Sequence, residues 1–94
     1  METTIGTREI HEIIKVLSLD TVRIYLNNYR FNKHRATPSS GSKARYYLSK
    51  NFLNVLYTMF LERGKEKAAK NLNNHFKDLE WLEWEEYVKW KSLV

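Results

Sequence analysis

The sequence has no cysteine, a single proline and three glycines among its 94 residues. Because cysteine is absent, the chain can form neither disulfide bonds nor thiolate metal sites, and it offers no cysteine nucleophile. Long apolar runs are missing too: no stretch approaches the roughly 20 apolar residues that a membrane-spanning helix needs, and the first residues lack a secretory-signal pattern. These absences favour a cytoplasmic protein that does not act at a membrane.

Motifs that carry catalysis are also missing. The sequence has no Gly-rich phosphate loop and no nucleophile motif. Its three histidines, His11, His34 and His75, lie far apart without partners at metal-ligand spacing. The acidic residues concentrate in the first predicted helix and the C-terminal region, which leaves no evident acid–base pair. We therefore expect a protein that is not an enzyme and that needs no metal or cofactor.

Acidic residues are absent from the middle of the chain, where none lies between Asp20 and Glu62. The basic residues inside this interval are Arg23, Arg30, Lys33, Arg35, Lys43, Arg45 and Lys50. With a net charge of +5 and a pI near 9.5, this pattern indicates a polyanionic partner such as a nucleic acid. The alternative is an ordinary solvated surface.

Apolar residues recur at helical spacing in the N-terminal part of the chain. Residues 1–6 are expected to be a loose lead-in. Thr7 is a suitable N-cap for a helix, whose apolar stripe comprises Ile10, Ile13, Ile14 and Leu17. This helix is predicted to end near Leu17.

A second helix is predicted to begin after Ser18, which is again a suitable N-cap. Its apolar stripe comprises Val22, Tyr25, Leu26 and Tyr29. Leu17 and Val22 are spaced to pack against each other across the cap. Two short helices joined by a tight turn must bury their stripes against each other, which predicts a helix-turn-helix.

The following segment has the composition of a β-hairpin. Residues 31–37 can be extended, residues 38–42 (PSSGS) are typical of a turn, and residues 44–48 (ARYYL) favour a return strand. Two helices followed by a basic hairpin are the layout of a winged helix. A third helix is predicted from Lys50 to Arg63, capped by Ser49 and ended by Gly64.

Two stretches resemble known families of DNA-binding regulators. IHEIIKVLSLDTVRIYL resembles the helix-turn-helix of MerR and excisionase-like regulators, although His11 replaces a small residue and Leu17 lengthens the turn. GSKARYYLSKNFLNVLY is similar to the wing and following helix of PadR-like regulators. The resemblance implies a winged helix-turn-helix fold with a small β-hairpin wing and duplex DNA as the partner. Residues 65–94 contain neither Gly nor Pro, which adds a long C-terminal helical region and predicts a mainly α fold.

The C-terminal part of the chain is predicted to be helical and to mediate dimerisation. We divide the single compact domain into a DNA-binding part, residues 1–64, and a dimerisation segment, residues 65–94. The segment has apolar residues on more than one side of a helix, which favours burial against a second copy. The residues expected at that interface are Leu72, Phe76, Leu79, Trp81, Trp84 and Val88. Whether the segment is one helix or two stays open.

These patterns predict a small dimeric transcriptional regulator, a repressor for example, that binds specific duplex DNA in the cytoplasm (nucleoid-associated). The residues expected to contact DNA are Ser18, Thr21, Arg23, Asn27, Asn28, Arg30, Lys33, Arg35, Lys43 and Arg45. Arg23 is suited to guanine or to phosphate, and either asparagine to adenine or to helix termination.

Two alternatives keep the fold and change its role. One is an architectural DNA-binding factor, either excisionase-like or a partition protein. The other is an adaptor or inhibitor that binds another protein, with the Trp-rich C-terminal segment as the contact surface.

Overall fold

A computed structural model describes residues 3–38 and 43–77 of the chain. The elements in order are β1 (Thr4–Gly6), α1 (Thr7–Ile14), α2 (Leu19–Leu26), a 3-10 helix (Tyr29–His34), β2 (Arg45–Tyr47), α3 (Lys50–Glu62) and α4 (Glu66–Phe76). The fold is thus mainly helical with a small two-stranded antiparallel sheet. Within the described ranges, no helix has the length and apolar character needed to cross a bilayer.

Residues Thr4–Gly6 form β1, so the prediction of a loose lead-in was wrong for them, and residues 1 and 2 lie outside the described residues. β1 pairs with β2 in antiparallel register, with Ile5 opposite Tyr46. Both side chains are buried, at 4% and 1% exposure respectively. Ile5 therefore enters the core through a partner strand far along the chain, and a three-residue strand is too short to show a β periodicity of its own.

The prediction of an extended strand over residues 31–37 was wrong for its first half. The 3-10 helix Tyr29–His34 occupies that region, and the Asn28 side chain accepts a hydrogen bond from the Arg30 N–H at its start. Arg35 then forms an isolated antiparallel bridge with Tyr46. Among the described residues the predicted hairpin is reduced to this bridge and to hydrogen bonds of Arg45 with Ala36 and Thr37, and residues 39–42 of its turn lie outside them.

α1 begins where the sequence indicated, but Thr7 does not cap it. Gly6 holds the N-cap position, and the Thr7 hydroxyl donates instead to the Ala44 carbonyl at 3.3 Å. The helix ends at Ile14, three residues before the predicted end, because Lys15 adopts a left-handed conformation with φ of 63°. Thr7 thereby ties the start of α1 to the chain entering β2.

α2 begins after Ser18 as predicted, with the Ser18 Oγ accepting from the Thr21 N–H at 3.2 Å. Three members of the predicted stripe are buried, namely Val22, Tyr25 and Leu26. The fourth, Tyr29, is 76% exposed. The prediction was wrong there because α2 ends at Leu26 and the change to a 3-10 helix breaks the 3.6-residue period.

α3 and its boundaries were predicted from local signals, and the prediction is confirmed. The Ser49 Oγ accepts from the Phe52 N–H at 3.1 Å, and Gly64 after the helix has a φ of 72°. Phe52 is fully buried, with its ring centroid 5.4 Å from that of Tyr46 and 5.7 Å from that of Phe31. These aromatic contacts join α3 to β2 and to the 3-10 helix.

α4 packs against α1 and α3 of its own chain. Leu72 is 0% exposed and Phe76 6% exposed within the single chain. Their assignment to a dimer interface is therefore corrected: both side chains belong to the core of one molecule and present little surface to a second. The other predicted interface residues, Leu79, Trp81, Trp84 and Val88, lie outside the described residues.

Candidate nucleic-acid interface

α2 has one buried side and one side open to solvent. Its buried side is formed by Val22, Tyr25 and Leu26, which pack into the core. At 100° per residue the remaining positions fall on the opposite side. We call this side the exposed face of α2; its members are Asp20, Thr21, Arg23, Ile24 and Asn27. Asp20, Ile24 and Asn27 are exposed, while Thr21 and Arg23 are half-buried.

The start of α2 carries two hydroxyl groups, those of Ser18 and Thr21, which are hydrogen-bonded to each other. The Oγ of Ser18 lies 2.9 Å from the Oγ1 of Thr21, and it also accepts from the Thr21 N–H. Ser18 remains exposed. The pair is therefore fixed in position by the cap and keeps free hydrogen-bonding capacity toward solvent.

Arg23 lies beside a carboxylate of its own helix. Its Nη2 is 3.6 Å from the Asp20 Oδ1, and the two side chains are 43% and 83% exposed. Ion pairs this exposed contribute little to stability. The ion pair with Asp20 therefore holds Arg23 near the helix surface, and it is weak enough that Arg23 can still bind another anion.

The two asparagines expected at the interface, Asn27 and Asn28, differ in whether their side chains are hydrogen-bonded within the protein. Asn27 is exposed at the C-cap of α2, so its amide is available to a partner. The Oδ1 of Asn28 accepts the Arg30 N–H at 3.0 Å and starts the 3-10 helix. Asn28 therefore has a structural role at the start of the 3-10 helix, whereas Asn27 is the residue that occupies the C-cap of α2.

Arg30 is directed toward α3. Its Nη1 donates to the Glu62 Oε2 at 2.8 Å, and this hydrogen bond raises the pKa of Arg30. Its charge is thereby balanced by a carboxylate that is distant in sequence. Arg30 is a weaker candidate for DNA contact than the sequence indicated.

Arg45 joins three elements of the fold. Its Nε donates to the Thr4 Oγ1 at 2.9 Å, its Nη2 to the Thr4 carbonyl at 3.2 Å and its Nη1 to the Glu9 Oε1 at 3.0 Å. The guanidinium of Arg45, a residue of β2, thus connects β1 and the first turn of α1. These contacts satisfy the side chain within the protein, so its predicted role at the interface gives way to a structural one.

The remaining predicted cations lie around the sheet and the chain that leads to it. Lys33 and Lys43 are exposed, and neither forms an ion pair with a described carboxylate. Arg35 is half-buried, and its Nε has no hydrogen-bond partner within residues 3–38 and 43–77. The two lysines are consequently the freest positive charges among the predicted contacts.

A hollow of about 330 Å³ brings together residues of α1 and of the chain at β2. It is lined by Gly6, Arg8, Glu9, Lys43, Ala44 and Arg45. Arg8 is exposed and adds a cation near Lys43 that the sequence analysis did not assign. The sequence could not indicate that Arg8 lies near Lys43, because their proximity depends on how α1 packs against the sheet.

His34 was expected on a strand beside the wing, and the structure places it inside. It is 7% exposed, its ring centroid lies 5.8 Å from that of Phe52, and its Nε2 has no partner among the described residues. Burial lowers the pKa of His34, and the neighbouring charge of Lys33 lowers it further. Burial thus favours the neutral form of the His34 ring, which lies at the C-terminal end of the 3-10 helix.

This burial predicts a loss of stability in mild acid. The unfolded chain binds a proton on His34 near pH 6.5, whereas the folded chain binds it only at lower pH. The free energy of unfolding should therefore fall as the pH drops from 7.5 through 6.5 toward 5.5. Urea titrations across this range should show a smaller fall for His34→Gln. An equal fall in His34→Gln and in the exposed-site control His75→Gln would contradict the prediction.

Positive charge is concentrated in the described part of the chain. Residues 3–38 and 43–77 contain fourteen Lys and Arg against five Asp and Glu, whereas residues 78–94 contain two against five. Residues 3–38 and 43–77 therefore carry the excess positive charge that would attract a polyanion.

The chain was compared with protein-family models, curated proteins and solved structures, and none of them matches it.

Proposed function

We propose that this protein binds duplex DNA in a sequence-specific manner through the exposed face of α2, as a small winged helix-turn-helix regulator of transcription. The observation that carries the proposal is the composition of that face. A short capped helix rests on the core by its apolar side and presents an arginine and an amide to solvent. These are side chains that make paired hydrogen bonds to base edges in the major groove.

The packing of α1 and α2 supports this arrangement. In helix-turn-helix proteins the second helix lies in the major groove and the first crosses the backbone. α1 and α2 are in contact here, and the chain between them is only four residues long, from Lys15 to Ser18. In this arrangement α2 would enter the groove, and α1 would pack against the side of α2 that faces away from the DNA.

The chain after α2 supports a short wing. The bridge between Arg35 and Tyr46 brings the chain that follows the 3-10 helix beside β2, and the Ala36 N–H donates to the Arg45 carbonyl at 2.8 Å. Lys43 is exposed just before β2. In this proposal the chain at Lys43 contacts the phosphate backbone beside the groove that α2 occupies.

In this proposal Arg23 and Asn27 contact bases, and Lys33 and Lys43 neutralise phosphates. Arg23 would donate two hydrogen bonds to guanine O6 and N7, and Asn27 would pair with adenine N6 and N7. Action as a repressor and as a homodimer on an inverted repeat are parts of the same proposal. Leu72 and Phe76 have no part in that dimer contact, since both are buried within one chain.

The salt dependence of binding tests the proposal. Log K for duplex DNA should fall linearly with log salt, because each neutralised phosphate releases counterions with a slope contribution of about −0.9. The double variant Lys33→Gln, Lys43→Gln should lower the slope magnitude by about two. Gel-shift titrations at four salt concentrations provide the measurement.

A matched control uses two exposed lysines of α4. The double variant Lys67→Gln, Lys70→Gln removes the same charge from exposed positions of α4, a helix outside the proposed interface, and should leave the slope unchanged. The absence of binding to any duplex at low salt would refute the proposed function. Equal changes in the slope of log K against log salt for both double variants would show that the positive charges attract DNA without forming a defined interface.

A further inference from the structure

Ile24 is an aliphatic residue that the fold leaves largely exposed on α2. It is 60% exposed at the middle of α2, whereas Ile10 and Ile14 of the neighbouring helix are fully buried. Burial of an aliphatic side chain is favourable, and isoleucine is only a moderate helix former. Ile24 therefore adds little to the core of the chain, and most of its apolar side chain remains accessible to a partner.

The surroundings of Ile24 are polar on the exposed face of α2. Asp20 lies one turn before it, Arg23 precedes it directly, and Asn27 follows at i+3, which places the side chains of Ile24 and Asn27 about 5–6 Å apart at Cβ. The cores of protein–protein interfaces are depleted of charged residues. A single apolar side chain between charged and amide groups does not fit that composition.

This composition does fit the major-groove edge of an A·T base pair. Such an edge presents the adenine N7 acceptor and N6 donor together with the thymine O4 and the C5-methyl group. The methyl is the apolar feature of the groove, and it lies among hydrogen-bonding atoms. An isoleucine beside an asparagine offers the matching pair of groups.

We propose that Ile24 contacts the C5-methyl of a thymine and thereby determines the preference for that base within the site bound by α2. The inference rests on the proposed function and adds the identity of one base. It also assigns specificity to a residue that forms no hydrogen bond through its side chain. Asn27 would contact the adenine of the same or the adjacent pair.

The test combines a protein variant with a DNA base analogue. The preferred duplex is first obtained by selection from a random pool with the wild-type protein. Each thymine of that duplex is then replaced in turn by deoxyuridine, which removes only the methyl group. One replacement should weaken wild-type binding by about fourfold, the factor expected for the burial of one methylene-sized group.

The same replacement should have no effect on the Ile24→Ala variant, because the partner of the methyl is then missing. Val16→Ala is the matched control, since Val16 is another exposed aliphatic residue, at 46%, and lies outside α2. It should retain the fourfold effect. Since Ile24 is exposed, its replacement should leave the melting temperature almost unchanged.

The outcomes separate this inference from the proposed function. A deoxyuridine effect of equal size in the wild type and in Ile24→Ala would overturn the inference and leave DNA binding intact. The inference would also be overturned if Ile24→Ala kept the base preference but dissociated a dimer in sedimentation, which would place Ile24 at a protein contact. Failure of the wild-type protein to select any duplex would overturn both proposals.

Discussion

Replacement of Phe52 with alanine should lower the free energy of unfolding by about 3–5 kcal/mol. The side chain is fully buried, and its ring contacts those of Tyr46, Phe31 and His34 at centroid distances of 5.4, 5.7 and 5.8 Å. These partners come from β2 and the 3-10 helix. The substitution leaves a cavity at the point where α3, the sheet and the chain after α2 meet.

Small domains have a total stability of about 5–15 kcal/mol, so this loss removes a large part of it. Urea unfolding followed by circular dichroism at 222 nm measures the change. Asn51→Ala is the matched control on the same helix, because Asn51 is exposed, and it should change the stability by no more than about 0.5 kcal/mol. A loss below about 1 kcal/mol for Phe52→Ala would contradict the aromatic cluster described here.

Arg23→Ala should weaken binding to the preferred duplex by about 1–3 kcal/mol, or roughly 5- to 150-fold. The physical reason is that the variant lacks the two hydrogen bonds that we propose between Arg23 and one guanine, which leaves the base edge without that partner. The preference at one base position should relax at the same time. Quantitative gel shifts against a panel of single-base variants of the site measure both effects.

Arg30→Ala is the control for Arg23→Ala. Both residues were predicted DNA contacts, but the Arg30 guanidinium is hydrogen-bonded to Glu62, so its removal should lower affinity far less. A uniform loss across all sequences for Arg23→Ala would identify it as a phosphate contact. Equal losses for the two variants would contradict the assignment of base contact to the exposed face of α2.

The sequence predicted those elements whose signals are local. The Ser49 cap, the apolar spacing of residues 52–60 and Gly64 define α3 within sixteen contiguous residues. The cap at Ser18 and the buried side of α2 were predictable for the same reason. In each case hydrogen bonds within one turn and a single apolar stripe determine the element.

The sequence could not predict features that depend on distant partners. β1 forms because Ile5 can pair with Tyr46, and a strand of three residues has no pattern of its own. The ion pairs of Arg45 with Glu9 and of Arg30 with Glu62 span 36 and 32 residues. A count of basic residues therefore overestimated the free positive charge, since carboxylates outside the acid-free interval neutralise two of the predicted contacts.

The position of α4 explains the correction at the predicted dimer interface. Ala68, Ala69, Leu72 and Phe76 form an apolar stripe that fits a partner chain as well as the chain's own core. Periodicity shows that a helix buries one side, but it does not identify what covers that side. The packing of α4 against α1 and α3 answers this question for Leu72 and Phe76 in favour of the same chain.

Binding of duplex DNA to the exposed face of α2 can be tested by an amide chemical-shift titration of the labelled protein with a short duplex at low salt. We expect the largest shifts within residues 18–28, with smaller shifts near Lys33 and Lys43 and none along the exposed side of α4. A spectrum that does not change on addition of duplex, or shifts confined to Glu66–Phe76, would contradict it.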